Sequence, residues 1–259
     1  MDLDAAIAFA PALADLDPRL HDEVLDWCIQ FAGDFASVSC IKHCLKLFDL
    51  DHQERFERFA AIVNAHGGTK WPTSLPPQPF TPRGKSRCRL DKPASVQLRA
   101  RKIFGINARA DILVGLALYP TDPKPRWTHV NLLLDLGYTK RSLSEALNDL
   151  SAGGMLGTLK FGNTIRYALR NHGPLRQLLD PLPDTLGAGW SYLLPLAASL
   201  LSAQRRTHGK SVTTQAVEAR KALESRRVTL ERSLIPLPDL SVGDPWPQIA
   251  VWMGPLLRP

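Results

Sequence analysis

Six prolines between residues 72 and 93 divide a chain whose other segments largely carry the apolar spacing of helices. They stand at positions 72, 76, 77, 79, 82 and 93. Because proline lacks a backbone N–H group and its ring clashes with the preceding turn, this density excludes a continuous helix. The second half of the stretch is basic, with Arg83, Lys85, Arg87, Arg89 and Lys92 against Asp91 alone. We therefore predict an extended basic connector over residues 68–95, which either wraps another part of the chain or lies along a phosphate backbone.

The segment before the connector, residues 1–67, is predicted to be an acidic helical domain. Asp17 and Pro18 have the residue types of a helix N-cap and first helical position. Helical spacing of apolar residues also covers residues 38–50 and 52–65, and two glycines at 67 and 68 provide a stop signal. Three or four such helices are expected to form a small bundle.

Charge is distributed unevenly along the chain. Residues 1–67 hold five Lys or Arg against twelve Asp or Glu, a net charge of −7. Residues 68–173 hold seventeen against six (+11), and residues 174–259 hold ten against seven (+3). A basic middle favours an anionic partner, nucleic acid first, although a solvated basic surface is the simpler alternative.

Targeting and catalytic signals are sparse. No run approaches eighteen consecutive apolar residues, so no membrane-spanning helix is predicted. The first sixteen residues contain three Asp and no Lys or Arg, whereas a secretory signal needs a basic start, so we predict a cytoplasmic chain. The chain lacks the GxxxxGK[ST], GxGxxG and GxSxG patterns. We predict no catalytic residue and no enzymatic activity.

Four cysteines offer two alternative chemistries. Cys40 and Cys44 are four residues apart and would share a zinc ion if Cys28 or His21 joined them. Cys28 and Cys44 fall on apolar helix stripes, however, so we interpret them as reduced core residues and predict no metal and no cofactor. Cys88 lies among basic residues, which favour a thiolate, and is a candidate redox sensor.

The order of elements predicted over residues 107–170 is the most informative pattern. A helix over 108–118 is followed by Thr128, placed as the N-cap of a second helix that ends at Gly137. Thr139 is placed as the cap of a third helix over residues 140–152. Gly162 and Asn163 then supply the turn of a β-hairpin. This order of helix, helix, turn, helix and hairpin is that of a winged helix-turn-helix.

The third helix is amphipathic. Its apolar positions, expected to pack on Ile112, Leu116, Leu133 and Leu136, are Leu143, Ala146, Leu147 and Leu150. The opposite face is polar, and a major groove admits one helix whose N-terminal residues reach the base edges. There Arg141 has the chemistry to pair with guanine and Asn148 with adenine.

The stretch GYTKRSLSEALNDLSAGGMLGTLKFGNTIRYAL resembles the DNA-binding module of MarR-like and ArsR-like transcriptional regulators. The resemblance covers about residues 96–170 and implies a recognition helix from near Thr139, a basic wing at 160–166, and a homodimer. The hydroxyls of Tyr138 and Thr139 have the chemistry to bind a phosphate. Phosphate contacts are also expected from the wing and from the helix before the module, at Lys160, Arg166, Arg101 and Lys102. The candidate DNA-binding residues are Arg101, Lys102, Thr128, Tyr138, Thr139, Lys140, Arg141, Ser142, Ser144, Glu145, Asn148, Lys160, Asn163 and Arg166.

The sequence therefore predicts a mainly α protein: an N-terminal bundle, a winged helix-turn-helix at 96–173, and a helical region at 174–259. Helices are expected there over about 190–201 and 213–234. The predicted function is sequence-specific binding of double-stranded DNA by a repressor. A winged-helix protein-interaction subunit, such as an antitoxin, and an enzyme with an unrecognised site are the alternatives. Apolar residues in the flanks are expected to support the homodimer: Trp27, Phe31, Trp190, Leu193 and Leu200.

Overall fold

A computed structural model describes residues 2–118, 127–183, 190–227, 230, 235–240 and 243–256. The described chain is mainly helical and has one small antiparallel sheet, with strand order β1-β3-β2. The strands are β1 (Thr128–His129), β2 (Leu156–Phe161) and β3 (Thr164–Leu169). Within the described part, no helix combines the length and apolar character that a membrane crossing requires.

The first segment consists of helices that begin at aspartate or serine caps. Asp17 Oδ1 accepts from the Leu20 N–H at 3.0 Å, and Gly68, with a φ of 66°, ends the last helix. The helix predicted over 38–50 is wrong in its end, because the chain turns after Leu45 and Asp49 caps a new helix. The elements are α1 (Leu3–Phe9), a 3₁₀ helix (Ala10–Asp15), α2 (Pro18–Phe35), α3 (Val38–Leu45) and α4 (Leu50–Gly67).

The proline-rich connector packs on the first segment of its own chain. Trp71 is buried, and its ring stacks on Phe56 and Phe59 at centroid distances of 6.0 and 6.2 Å. The backbone of residues 83–86 lies against the carboxylate of Asp26 on α2. Of the two arrangements expected for the connector, the structure shows the one in which it wraps another part of the chain.

The middle segment surrounds its own apolar cluster. The predicted helix over 108–118 is confirmed, as is the cap at Thr139. The predicted packing is also confirmed, because Leu143 and Leu147 lie in one cluster with Ile112 and Leu116. Besides the strands, the elements are α5 (Val96–Phe104), α6 (Ala108–Leu118), a 3₁₀ helix (Val130–Leu136), α7 (Lys140–Ala152) and α8 (His172–Leu178).

The C-terminal segment contains α9 (Trp190–Thr207), α10 (Val212–Glu224) and α11 (Pro245–Leu256). The helix predicted over 213–234 is wrong in its extent, because α10 ends at Glu224 and a turn follows. Residues 228, 229 and 231–234 of that prediction lie outside the described residues. Leu194 on α9 packs in one cluster with Ala5 of α1 and Phe48. This contact joins the C-terminal segment to the first segment.

The apolar residues predicted to support a dimer are largely used within the chain. Leu193 and Leu200 are buried, and Trp27 packs against the cluster of the first segment. Phe31 is half-buried, and the side chain of Trp190 lies outside the described residues. The buried leucines therefore cannot be counted as an unpartnered dimer surface.

Candidate nucleic-acid interface

Helix α7 is fixed at its start and along one side. The Thr139 hydroxyl oxygen accepts from the Ser142 N–H at 3.1 Å and lies 2.9 Å from the Ser142 hydroxyl. Four apolar residues anchor the helix on α6 and the 3₁₀ helix, and all are buried: Leu143, Ala146, Leu147 and Leu150. The opposite side of α7 consequently faces outward.

The outward side of α7 has the predicted polar residues. Lys140, Arg141, Glu145 and Asn148 are exposed, and Ser144 is half-buried. The Arg141 side chain is 88% exposed and donates from Nε to Glu145 at 2.8 Å. Such an exposed pair is weak, so the guanidinium can exchange Glu145 for another acceptor at small cost. Asn148 Oδ1 accepts from the Tyr167 hydroxyl at 3.0 Å, which fixes the orientation of its amide.

The Tyr138 hydroxyl does not point to the outward side. It donates to Asp111 Oδ2 at 2.7 Å and is partly buried. Burial and the negative charge of Asp111 both raise the pKa of Tyr138. The prediction that this hydroxyl binds a phosphate is wrong, because it is committed to a buried carboxylate. Thr139, next in sequence, is exposed.

Thr128 is also misplaced by the prediction. It lies in β1, is 3% exposed, and is paired in register with Tyr167. The following element is a 3₁₀ helix that begins at Val130, and the His129 side chain caps it. Thr128 is therefore neither a helix cap nor a residue that DNA can reach.

Arg101 was expected at a phosphate, and that prediction is wrong. Its side chain is fully buried between Asp4 and Asp111, with nitrogen–oxygen distances of 2.6 and 2.7 Å. It also donates to the Phe35 carbonyl oxygen at 2.7 Å. Burial disfavours its charge, but the two carboxylates outweigh burial and raise the pKa of Arg101. Neighbouring Lys102 is exposed and pairs with Asp34 at 3.1 Å.

Asp4 shows the cost of this buried network. Burial raises the pKa of its carboxyl to about 6, although Arg101 acts in the opposite direction. From the sequence, Asp4 is interpreted only as one of the acidic residues of the first segment. The available signal was an aspartate within an apolar run, repeated at Asp111 in the middle segment. Aspartates in such positions are rarely buried unless they are paired.

The hairpin divides its cations between two faces. Directly paired residues in an antiparallel ladder share a face, and the pairs are Lys160↔Ile165 and Leu159↔Arg166. Lys160 therefore lies on the face whose base packs on the helices, and Arg166 lies on the other. Asn163 is exposed at the turn. All three residues reach solvent, as an interface requires, but they do not form one surface.

The first segment braces the turn before α7. Cys40 Sγ donates to the Leu136 carbonyl oxygen at 3.1 Å. Gly137 has a φ of 81°, and a Cβ atom there would lie 3.1 Å from Cys40 Cα. This close approach explains why glycine is needed at the turn. It also means that α3 helps to set the position of α7.

The cysteines occupy separate environments. Cys28 and Cys44 pack in two different apolar clusters, which confirms their interpretation as core residues. Ligand atoms of Asp4, Cys40 and Asp111 lie within 4.8 Å of one another, but Arg101 already supplies a cation to both carboxylates. Burial raises the pKa of Cys40 to about 12.

Cys88 is half-buried in the connector. Its burial raises the pKa of the thiol, while Lys102 lowers it less strongly. This direction is opposite to the one expected from its basic sequence neighbours. The structure thus removes the physical reason given for a reactive thiolate at this position.

Comparison with known proteins identifies no relative: no protein-family model, curated protein or solved structure matches the chain significantly.

Proposed function

We propose that residues 96–173 form a winged helix-turn-helix module that binds double-stranded DNA, and that the chain is a repressor-type transcriptional regulator acting as a homodimer. The observation that supports this best is the outward polar side of α7. It begins at a capped N-terminus, carries Lys140 and Arg141 in its first turn, and is held in place by a buried apolar side. The major groove of B-form DNA is wide enough to admit one α-helix presented in this way.

Within this proposal the residues have different roles. Arg141 reads a base edge, where a guanidinium gives a bidentate pair. The Asn148 amide, whose Oδ1 accepts from the Tyr167 hydroxyl, donates to a base from its NH₂ group. Lys140 and the first N–H groups of α7 bind a phosphate, because helix N-termini favour anions. Lys160 on the hairpin contacts a neighbouring phosphate. Arg101, Thr128 and the Tyr138 hydroxyl have no part in it, since they are buried or committed to Asp111.

The proposal is tested by selecting bound sequences from a random duplex pool with the full chain. Enrichment of an inverted repeat is expected, since a symmetric dimer reads two half-sites about one helical turn apart. Affinity for mixed-sequence duplex should fall steeply with salt as counterions are released. No duplex binding at low salt would overturn the proposal and favour the protein-interaction alternative.

A further inference from the structure

The sheet has an outer face that the proposed duplex interface leaves unused. Tyr167 and Leu156 are buried and point towards the helices, so residues that alternate with them point outward. The outer face so defined contains Trp127, His129, Leu159, Phe161, Arg166 and Arg170. The outer face therefore combines aromatic rings with cationic side chains.

Two aromatic rings lie on the outer face. The Phe161 residue is 67% exposed, and the Arg166 guanidinium lies 5.4 Å from its ring centroid. Trp127 is half-buried at the base of the face. A methyl group at Gly157 would meet Trp127 Cη2 and Arg170 Cγ at 3.8 Å, so both side chains lie close above the backbone there.

The spacing of the rings separates them into two platforms. Phe161 and Gly157 are four residues apart on β2, which corresponds to about 13 Å along the strand. A single small ring system therefore cannot cover both aromatic residues. An extended ligand with successive flat groups can.

The cations of the outer face favour an anionic ligand. Arg166 and Arg170 are both exposed, and neither has an ion pair with a carboxylate of the described residues. Arg170 donates from Nε to the Leu156 carbonyl oxygen at 3.2 Å, which holds its guanidinium at the sheet. A second copy of the chain docked on this face would bury both guanidinium groups, which is costly unless acidic partners meet them. A phosphate backbone meets them directly.

We propose that the outer face binds single-stranded nucleic acid, with unpaired bases stacked on Phe161 and Trp127 and phosphates held by Arg166 and Arg170. Aromatic side chains on a basic surface provide this kind of binding, which tolerates many sequences because every base has a π face. The inference goes beyond the proposed duplex recognition by α7, and neither depends on the other.

The test measures fluorescence anisotropy of a labelled dT12 strand with the full chain at low salt. Phe161→Ala and Trp127→Ala are each expected to weaken binding by about 5- to 150-fold, the usual effect of removing one stacking ring. Phe161→Tyr keeps a ring and should bind like the unaltered chain, whereas Phe161→Leu keeps only apolar area and should not. Val251→Ala, at a 76% exposed position on α11, is the matched control.

The proposal would be overturned by no dT12 binding, by equal affinity of Phe161→Ala and Val251→Ala, or by equal affinity of Phe161→Leu and Phe161→Tyr. If Phe161→Ala converts a dimer into a monomer but still binds dT12, the outer face is occupied by a second copy of the chain. That result would also contradict the proposal. Circular dichroism of each variant checks that the fold is intact. Retained dT12 binding with no duplex binding would refute the proposed function alone.

Discussion

Arg101 donates to both carboxylate oxygens of Asp4, at 3.2 and 2.6 Å, across 97 positions of sequence. The same guanidinium pairs with Asp111, so one buried group joins α1 to α5 and α6. Because all three side chains are buried, each charge depends on the others for its stabilisation. The acidic first segment is thereby attached to the segment that carries α7.

Replacing Arg101 by alanine should destabilise the protein strongly. Two buried carboxylates would lose their cation, and loss of one partner of a buried pair typically costs about 3–5 kcal/mol. Urea unfolding measured by circular dichroism checks this. Lys102→Ala is the matched control, since it removes the adjacent exposed pair with Asp34 and should cost less than about 1 kcal/mol. Equal midpoints for the two variants would show that the network contributes little.

Gly137→Ala should be more damaging than Gly154→Ala. Both glycines have positive φ values, 81° and 76°, so alanine pays a similar conformational cost of about 1–2 kcal/mol at each. At Gly154 a Cβ atom meets nothing within 4 Å, whereas at Gly137 it meets Cys40 Cα at 3.1 Å. Overpacking against backbone adds about 1–3 kcal/mol. The difference between the two unfolding free energies measures the contact between α3 and the turn; a difference of zero would exclude it.

Asp26 holds the basic connector through its backbone. Its two carboxylate oxygens accept from the N–H groups of Arg83, Gly84, Lys85 and Ser86 at 2.7, 2.9, 3.1 and 3.2 Å. Burial disfavours the carboxylate charge, but these donors outweigh burial and lower the pKa of Asp26. Four consecutive N–H groups converging on one anion account for the path of the connector.

Asp26→Asn should loosen the connector. Asparagine has one acceptor oxygen, so its NH₂ group would face backbone donors, and hydrogen bonds to a charged group contribute about 1.5–3 kcal/mol. Trypsin cleavage at Arg83, Lys85 or Arg87 is expected to accelerate. Asp34→Asn, on the exposed end of the same helix, is the control and should leave the cleavage rate unchanged.

The effect of Asp26→Asn should depend on pH in one direction. In the folded protein the pKa of Asp26 lies below its ordinary value of 3.8. The carboxylate therefore stabilises the fold fully above pH 3.8, and this stabilisation is lost as pH falls through the folded pKa. The difference in unfolding free energy between the unaltered chain and Asp26→Asn should be constant from pH 7 to about 5 and should shrink below about 4. A difference that grows on acidification would contradict the assignment.

On the proposed DNA interface, Arg141→Ala should weaken a selected duplex site by about 1–3 kcal/mol if the guanidinium pairs with guanine. Mixed-sequence duplex should be affected much less. Lys160→Ala serves as the comparison for a phosphate contact, and it should flatten the plot of log affinity against log salt by about 0.9. Equal losses on both duplexes for Arg141→Ala would make it a phosphate contact, and an unchanged slope for Lys160→Ala would place the wing away from DNA.

The proposed homodimer predicts a mass near twice 28.7 kDa by light scattering at micromolar concentration. A single recognition helix covers few base pairs, so specificity in a genome usually needs two half-sites. Since Leu193 and Leu200 are buried within the chain, alanine at either should reduce stability without producing folded monomers. A monomer both with and without DNA would contradict the dimer.

The sequence by itself determined the features that depend on near neighbours. A cap such as Asp17 or Thr139 acts on an N–H group three residues away, and apolar spacing fixes which side of α7 is buried. The glycine turn of the hairpin is equally local, with Gly162 at a φ of 58°. These parts of the fold and of the candidate interface were therefore predictable from short windows of sequence.

Only the tertiary structure decided which polar groups lose contact with water. Arg101 and Lys102 are adjacent and chemically similar in sequence, yet one is buried between Asp4 and Asp111 and the other is exposed. That choice depends on partners 97 and 10 positions away, and no local pattern specifies which distant carboxylates will converge. The physical reason is that a buried charge is tolerated only where opposite charges and donors surround it, and only packing of the whole chain assembles them.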